Sequence, residues 1–183
     1  GSLEGSVPAP RVAQAAQLIL SQAQRASQAS RNLAELAAPQ PTEFDWVDVN
    51  AMVQRVLQLM GYDRRYRGIG FHSEFDGELP AVQAPAASLQ QVLMQMASLG
   101  CDAMPPGAPA PGAVRVTTSR APLGVEVLLE FPVRLDFTRA EVQRVLLLSR
   151  AMIEPLGARL AFGQDSGPVL RIKLAWPADP AKA

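Results

Sequence analysis

From Asp45 onward the apolar residues change period repeatedly, from about 3.6 to 2 and back, and that alternation leaves few folds open. Met52, Val53, Val56, Leu57 and Met60 recur at helical spacing, with Asp48 or Asn50 placed to cap the helix and Gly61 to stop it. Residues 69–75 alternate as a strand does, with an Asp76-Gly77 turn after them. Residues 87–104 are helical again, with Leu89, Val92, Leu93, Met96 and Leu99 on one side. A Pro/Gly/Ala loop at 105–112 precedes two strands, 114–118 and 125–131, that read as a hairpin around Pro122-Leu123-Gly124. Residues 139–155 form a helix with Thr138 as its expected cap, and 159–162 and 169–176 a last strand pair around Asp165-Ser166-Gly167. This order predicts an α+β, two-layer α/β sandwich with helices over one face of a mixed sheet.

In front of that region, residues 11–38 contain neither Pro nor Gly. Val12, Ala16, Ile19, Ala23, Ala26 and Leu33 draw a narrow, alanine-rich apolar stripe along one long helix, which Pro39-Gln40-Pro41 ends. Such a stripe buries little against a globular core but lets a second helix approach closely. The expected organisation is a disordered or tag-like segment at 1–9, of which Gly1 to Ser6 reads as a cloning remnant. A long helix follows at 10–42, a folded domain at 43–178 and a frayed tail at 179–183.

Composition excludes several functions. Seventeen basic residues balance seventeen acidic ones, so no bulk charge draws the chain to nucleic acid or to an anionic membrane surface. No apolar run reaches the roughly 18 residues a bilayer span requires. The single cysteine, Cys101, excludes an internal disulfide and fits a reducing, cytoplasmic setting. No cluster has metal-ligand spacing, and Gly61 with Gly68-Ile69-Gly70 makes no phosphate-cradling loop.

The run Leu89-Gln90-Gln91-Val92-Leu93-Met94-Gln95-Met96-Ala97-Ser98-Leu99-Gly100-Cys101-Asp102-Ala103-Met104 resembles the nucleotide-binding helix of two-component sensor histidine kinases, L-x-Q-V-L-x-N-L-x-x-N-A-x-D-A-M. Further segments resemble the same family in the same order. Val47-Asp48-Val49-Asn50 is similar to the linker into the catalytic domain, and Glu78-Leu79-Pro80-Ala81-Val82 to the segment before the nucleotide-binding helix. The stretch from Leu148 to Leu160 is similar to the last helix and its following strand, and Gln24 to Leu33 to the second helix of the dimerisation and phosphotransfer hairpin. The resemblance implies the ATPase-like sandwich of that family, here with a helical arm.

The departures from the pattern fall on the chemistry. In that family the second Asn of the helix motif ligates the magnesium on ATP, and the first lies near the phosphates; here they are Leu99 and Gln95. Leucine has no oxygen to offer, and magnesium demands a nearly complete oxygen shell. The D-x-G-x-G motif, whose Asp binds adenine, reads Phe131-Pro132-Val133-Arg134-Leu135. The G-x-G-L-G-L-S motif reads Gln143-Arg144-Val145-Leu146-Leu147-Leu148-Ser149, and the long lid between the two is reduced to a few residues near 136–141. Leu99, Phe131, Val133, Val145 and Leu147 are therefore expected as packed core in place of a nucleotide cleft, with Gln95 and Leu135 as the other altered positions. No catalytic residue, cofactor or metal is expected.

Other candidates have plain readings. His72 lies on a strand, away from the phosphoacceptor position of the family. That helix would lie before Arg11, so an upstream segment supplies it or the protein lacks it. Cys101 is expected as a small buried side chain and Asp102 as a structural or solvated carboxylate. Arg64, Arg65 and Arg67 with Tyr62 and Tyr66 make a basic-aromatic patch, either a solvated loop or a docking surface for an acidic partner. The reading that follows is a degenerate histidine-kinase-like module acting through protein contacts. Its partner would be a response regulator or a partner kinase, with a homodimer through the N-terminal helix. Two rivals stand beside it: a divergent domain that still binds ATP and magnesium, and a phosphotransfer protein on the same architecture.

Overall fold

The computed structural model describes residues 43–105, 114–122, 124–164 and 169–178. The chain divides into two units, 1–42 and 43–183, and all described residues belong to the second. The helix expected over 11–38 and the turn at 165–167 lie outside the described residues.

The described elements run in the order β1 (Asp45–Val47), α1 (Val49–Tyr62), β2 (Phe71–Phe75), β3 (Val82–Ala84), α2 (Ala86–Asp102), β4 (Val114–Ala121), β5 (Gly124–Phe131), α3 (Ala140–Ile153), β6 (Arg159–Gln164) and β7 (Leu170–Pro177). Five strands form a mixed sheet in the order β2-β4-β5-β7-β6, parallel between β2 and β4 and antiparallel elsewhere. β1 and β3 pair separately and antiparallel. The helices pack on the sheet, as expected of an α+β sandwich. The hairpin β4–β5 and the pair β6–β7 stand where the period-2 segments placed them.

Alternation decides which sheet face is buried. Val114, Val116 and Thr118 of β4, Val125, Val127, Leu129 and Phe131 of β5, and Leu170, Ile172, Leu174 and Trp176 of β7 all belong to the interior. They meet Val53, Val56 and Met60 of α1 and Leu89, Val92, Leu93 and Met96 of α2. The opposite face carries charge: Arg171 Nε lies 2.9 Å from Glu130 Oε1, its cross-strand partner, and Lys173 Nζ 3.2 Å from Glu126 Oε1.

Several local expectations need correction. Asp48, not Asn50, caps α1, accepting from the Ala51 N–H at 3.1 Å. Asn50 instead ties α1 to the sheet: its amide donates to the Asp76 carbonyl at 2.8 Å, and its oxygen accepts from buried Thr118 at 2.6 Å. α1 runs through Gly61, ending where Asp63 caps a 3-10 turn over Arg64–Tyr66. Thr138 does not cap α3, whose N-cap, Arg139, makes no side-chain capping bond. The Thr138 hydroxyl is donated to Asp136 at 2.6 Å instead. The far end of α3 passes into a second 3-10 turn, Glu154–Leu156, closed by Gly157 at φ 87°, a left-handed conformation suited to glycine.

Candidate functional site

The residues aligned with the nucleotide motifs come together from three elements. α2 places Gln95 and Leu99 four residues apart on one face, and both are half-buried. α3 lies alongside α2 and directs Ser149 at that face. Ser149 is fully buried, and its Oγ donates to Gln95 Oε1 at 2.7 Å. That bond ties α2 to α3. Among the described residues no buried side-chain nitrogen or oxygen lacks a partner.

Beneath α2, β5 ends at Phe131, which is 0% exposed. Its ring lies against the Gly100 backbone. A Cβ at position 100 would fall on that ring, 2.5 Å from Cδ2 and nearer still to Cε2 and Cζ. Carbon atoms rest at about 3.5–4 Å, so any larger residue at 100 would displace the ring. Sequence reasoning passed over Gly100. The signal was present all the same: the resembled motif has alanine where this chain has Gly100.

The chain leaves β5 by a short, pinned connection. The Val133 N–H bonds the Phe131 carbonyl at 2.8 Å, and the Val133 side chain is buried. Leu135 packs partly into the core, and its carbonyl accepts from Gln164 Nε2 at 2.5 Å. Phe137 meets Phe162 edge-on with ring centroids 6.3 Å apart. Asp136 Oδ1 closes the last turn by accepting from the Thr138 N–H at 2.9 Å, and its carboxyl is held below the usual range by these two Thr138 bonds. α3 begins at Ala140, so the connection 132–139 has no room for a long loop.

Of the seven aligned positions, Phe131 and Val133 are interior and Leu135 and Val145 lie partly buried against the core, whereas Leu99, expected as packed core, is only half-buried and stands outside that core. Leu147 contradicts the expectation of a packed side chain: it is 69% exposed. The reason is helical phase. α3 turns Val142, Ser149 and Ile153 inward, and Leu147 lies about 200° around the helix from both Val145 and Ser149.

The other candidates fall outside this cluster. Tyr66 is buried, and its hydroxyl donates to Asp102 Oδ1 at 2.7 Å, so Asp102 is an anchor for the turn after α1. Burial first, and that bond second, push the Tyr66 hydroxyl up to about 12. Arg65 folds back on Asp63 at 2.7 Å and lies 4.9 Å over the Tyr66 ring, so Arg65 and Tyr66 of the basic-aromatic patch are structural. Cys101 is buried, which pushes its thiol up to about 12 with a smaller contribution from Asp102. His72 is exposed on edge strand β2, 3.2 Å from Glu74. Among the described residues no group of three or more His, Cys, Asp or Glu is placed to hold a metal ion.

Comparison with known proteins agrees with the fold. No family model matches the sequence. The chain is similar to the sensor histidine kinase ZraS of Escherichia coli, 29% identical over 114 residues, which are 62% of this chain and 24% of ZraS. The match thus spans about a quarter of the length of those curated relatives. Among solved structures, the Acinetobacter baumannii histidine kinase AdeS superposes with a TM-score of 0.69 at 13% identity, covering 89% of this chain and 83% of AdeS. The histidine kinase ThkA, in complex with the response regulator protein TrrA, gives 0.70 at 14% identity over 98% of this chain and 55% of its own. The isolated ThkA catalytic domain gives 0.61 at 20% identity, over 77% of this chain and 99% of its own. The fold is that of histidine kinase catalytic domains.

Proposed function

We propose that this chain is a histidine-kinase-like module of two-component signalling whose nucleotide cleft has become packed core, and that it acts through protein contacts without turning over ATP. The observation that carries this reading is the fit of Phe131 to Gly100. Phe131 stands where the resembled motif has its adenine-binding Asp, and Gly100 stands beside the lost magnesium ligand at Leu99. A phenyl ring accepts no hydrogen bond from adenine, and its fit depends on a glycine that makes room for it.

Three further features support the reading. The amide at Gln95 is engaged by Ser149. Leu99 supplies no oxygen to a cation that requires several. The connection 132–139 is pinned at Val133, Leu135 and Asp136 and leads straight into α3. A cleft without a metal ligand, an adenine acceptor or a lid holds little affinity for a hydrated triphosphate.

In this reading the partner is a response regulator or a partner kinase. The ThkA complex with a response regulator supports the first of these. A homodimer through residues 10–42 and a cytoplasmic location go with the same proposal. Among the described residues no helix is long and apolar enough to cross a membrane. The proposal is tested by thermal unfolding in millimolar Mg-ATP. A ligand present at one hundred times its Kd stabilises the folded state by about 2.7 kcal/mol, several degrees in Tm for a domain of this size. No shift is expected; a shift of several degrees, saturating with Mg-ATP, supports a divergent nucleotide-binding domain instead.

A further inference from the structure

We infer that the C-terminal half of α1 and the turn after it form a docking surface for an acidic segment of a partner protein. The inference rests on the reading of this module as one that works by contact, and it names where and with what chemistry. The chain as a whole is charge-balanced, but residues 55–67 carry Arg55, Arg64, Arg65 and Arg67 against a single acid, Asp63. Asp63 is taken by Arg65, which grips both carboxylate oxygens: Nε lies 3.2 Å from Oδ1, and Nη2 lies 2.7 Å from Oδ2. No acidic side chain among the described residues lies within ion-pair reach of Arg55, Arg64 or Arg67, all of them exposed.

These cations share one short segment of chain with exposed apolar residues. Arg55, Leu59 and Tyr62 stand at i, i+4 and i+7 on α1, one stripe about 10 Å long. Leu59 is 40% exposed and Tyr62 84% exposed, a large apolar area to leave in water on a helix whose other face is core. Arg64 and Arg67 sit one 3-10 turn apart, joined by the Arg67 N–H to the Arg64 carbonyl at 3.4 Å, and in such a turn i and i+3 point the same way. The turn itself is fixed, because Tyr66 is buried and bonded to Asp102 and Arg65 is folded onto Asp63. Three guanidinium groups with no acidic partner among the described residues, in the same short segment as an exposed phenol and leucine, fit a segment whose carboxylates alternate with aliphatic side chains.

The test uses the whole chain, isotope-labelled, titrated with a short synthetic peptide of Asp, Glu and Leu; the same peptide with Lys for each acid is the control. The acidic peptide is expected to move the amides of residues 55–67 saturably. Arg64→Glu with Arg67→Glu weakens it by roughly tenfold, and Tyr62→Ser, which leaves the charge unchanged, by roughly fivefold. All three positions are exposed, and unchanged Tm verifies that the variants fold. Shifts that map elsewhere, equal shifts with the lysine peptide, or an affinity indifferent to Tyr62→Ser overturn the inference. Mg-ATP added in a separate titration reports on the cleft residues and not on 55–67, so a failure of the nucleotide reading is seen apart from a failure here.

Discussion

Replacing Gly100 by Ala should destabilise this protein, although glycine in a helix interior is normally the worse residue. Glycine is about 1 kcal/mol less favourable than alanine within a helix, and Gly100 lies inside α2, so propensity alone predicts a gain. Against it stands the Phe131 ring. The new methyl would approach Cδ2 to 2.5 Å, about 1 Å inside ordinary carbon contact, and Phe131 is fully enclosed. Overpacking of this kind costs about 1–3 kcal/mol, so the net effect is a loss of about 1 kcal/mol. In a Phe131→Ala background the ring is gone. That background itself costs about 3–5 kcal/mol, but within it Gly100→Ala should stabilise by about 1 kcal/mol. The assay is a double-mutant cycle in urea, read by far-ultraviolet circular dichroism, with a predicted coupling of about 1–3 kcal/mol. If Phe131→Ala proves too unstable to measure, Phe131→Val removes all three ring atoms in contact and should show the same sign change. Equal effects of Gly100→Ala in both backgrounds would refute the packing argument.

Asn50→Ala should cost about 1–3 kcal/mol in the same urea assay, because the buried Thr118 hydroxyl, which still accepts from the Asp76 N–H, loses the acceptor for its own proton and the Asp76 carbonyl loses its donor. Cys101 should resist thiol reagents at pH 8 in the folded protein and react at once in denaturant, as followed by absorbance of the released chromophore, since burial keeps the thiol protonated and covered. Stability should fall between pH 9 and pH 12. Tyr66 and Cys101 hold their protons to about 12 when folded, while the unfolded chain releases them near 10.0 and 9.0 and so binds fewer protons in that window. Tyr66→Phe should remove its share of the decline, which denaturation midpoints across the range will show.

The fold was legible in proportion to how much each element depends on its own residues. α2 and the strands β4, β5 and β7 carry runs of one period long enough to mark each as helix or strand. β1 and β3 escaped notice because three residues make no period; what defines them is their pairing, Asp45 with Ala84 and Val47 with Val82. The altered site was legible as a list of substitutions but not as an object. Leu147 was misplaced because the motif fixed its alignment, while the phase of α3 fixed its exposure. The Gln95–Ser149 bond joins residues 54 apart, and nothing local in either segment announces it. The same is true of Tyr66 and Asp102, whose bond takes Tyr66 out of the suspected surface patch. Gly100 shows what a residue-by-residue comparison misses. It differs from the motif by one methyl group, and its meaning appears only when the ring of Phe131 is placed against it.

The most direct measurement follows the Gly100 amide and the Phe131 ring protons by nuclear magnetic resonance while Mg-ATP is raised to millimolar concentration. The account predicts that both signals hold their positions and that nuclear Overhauser contacts between the ring and the Gly100 Hα persist throughout. Saturable movement of either signal, with loss of those contacts as nucleotide enters, would contradict it.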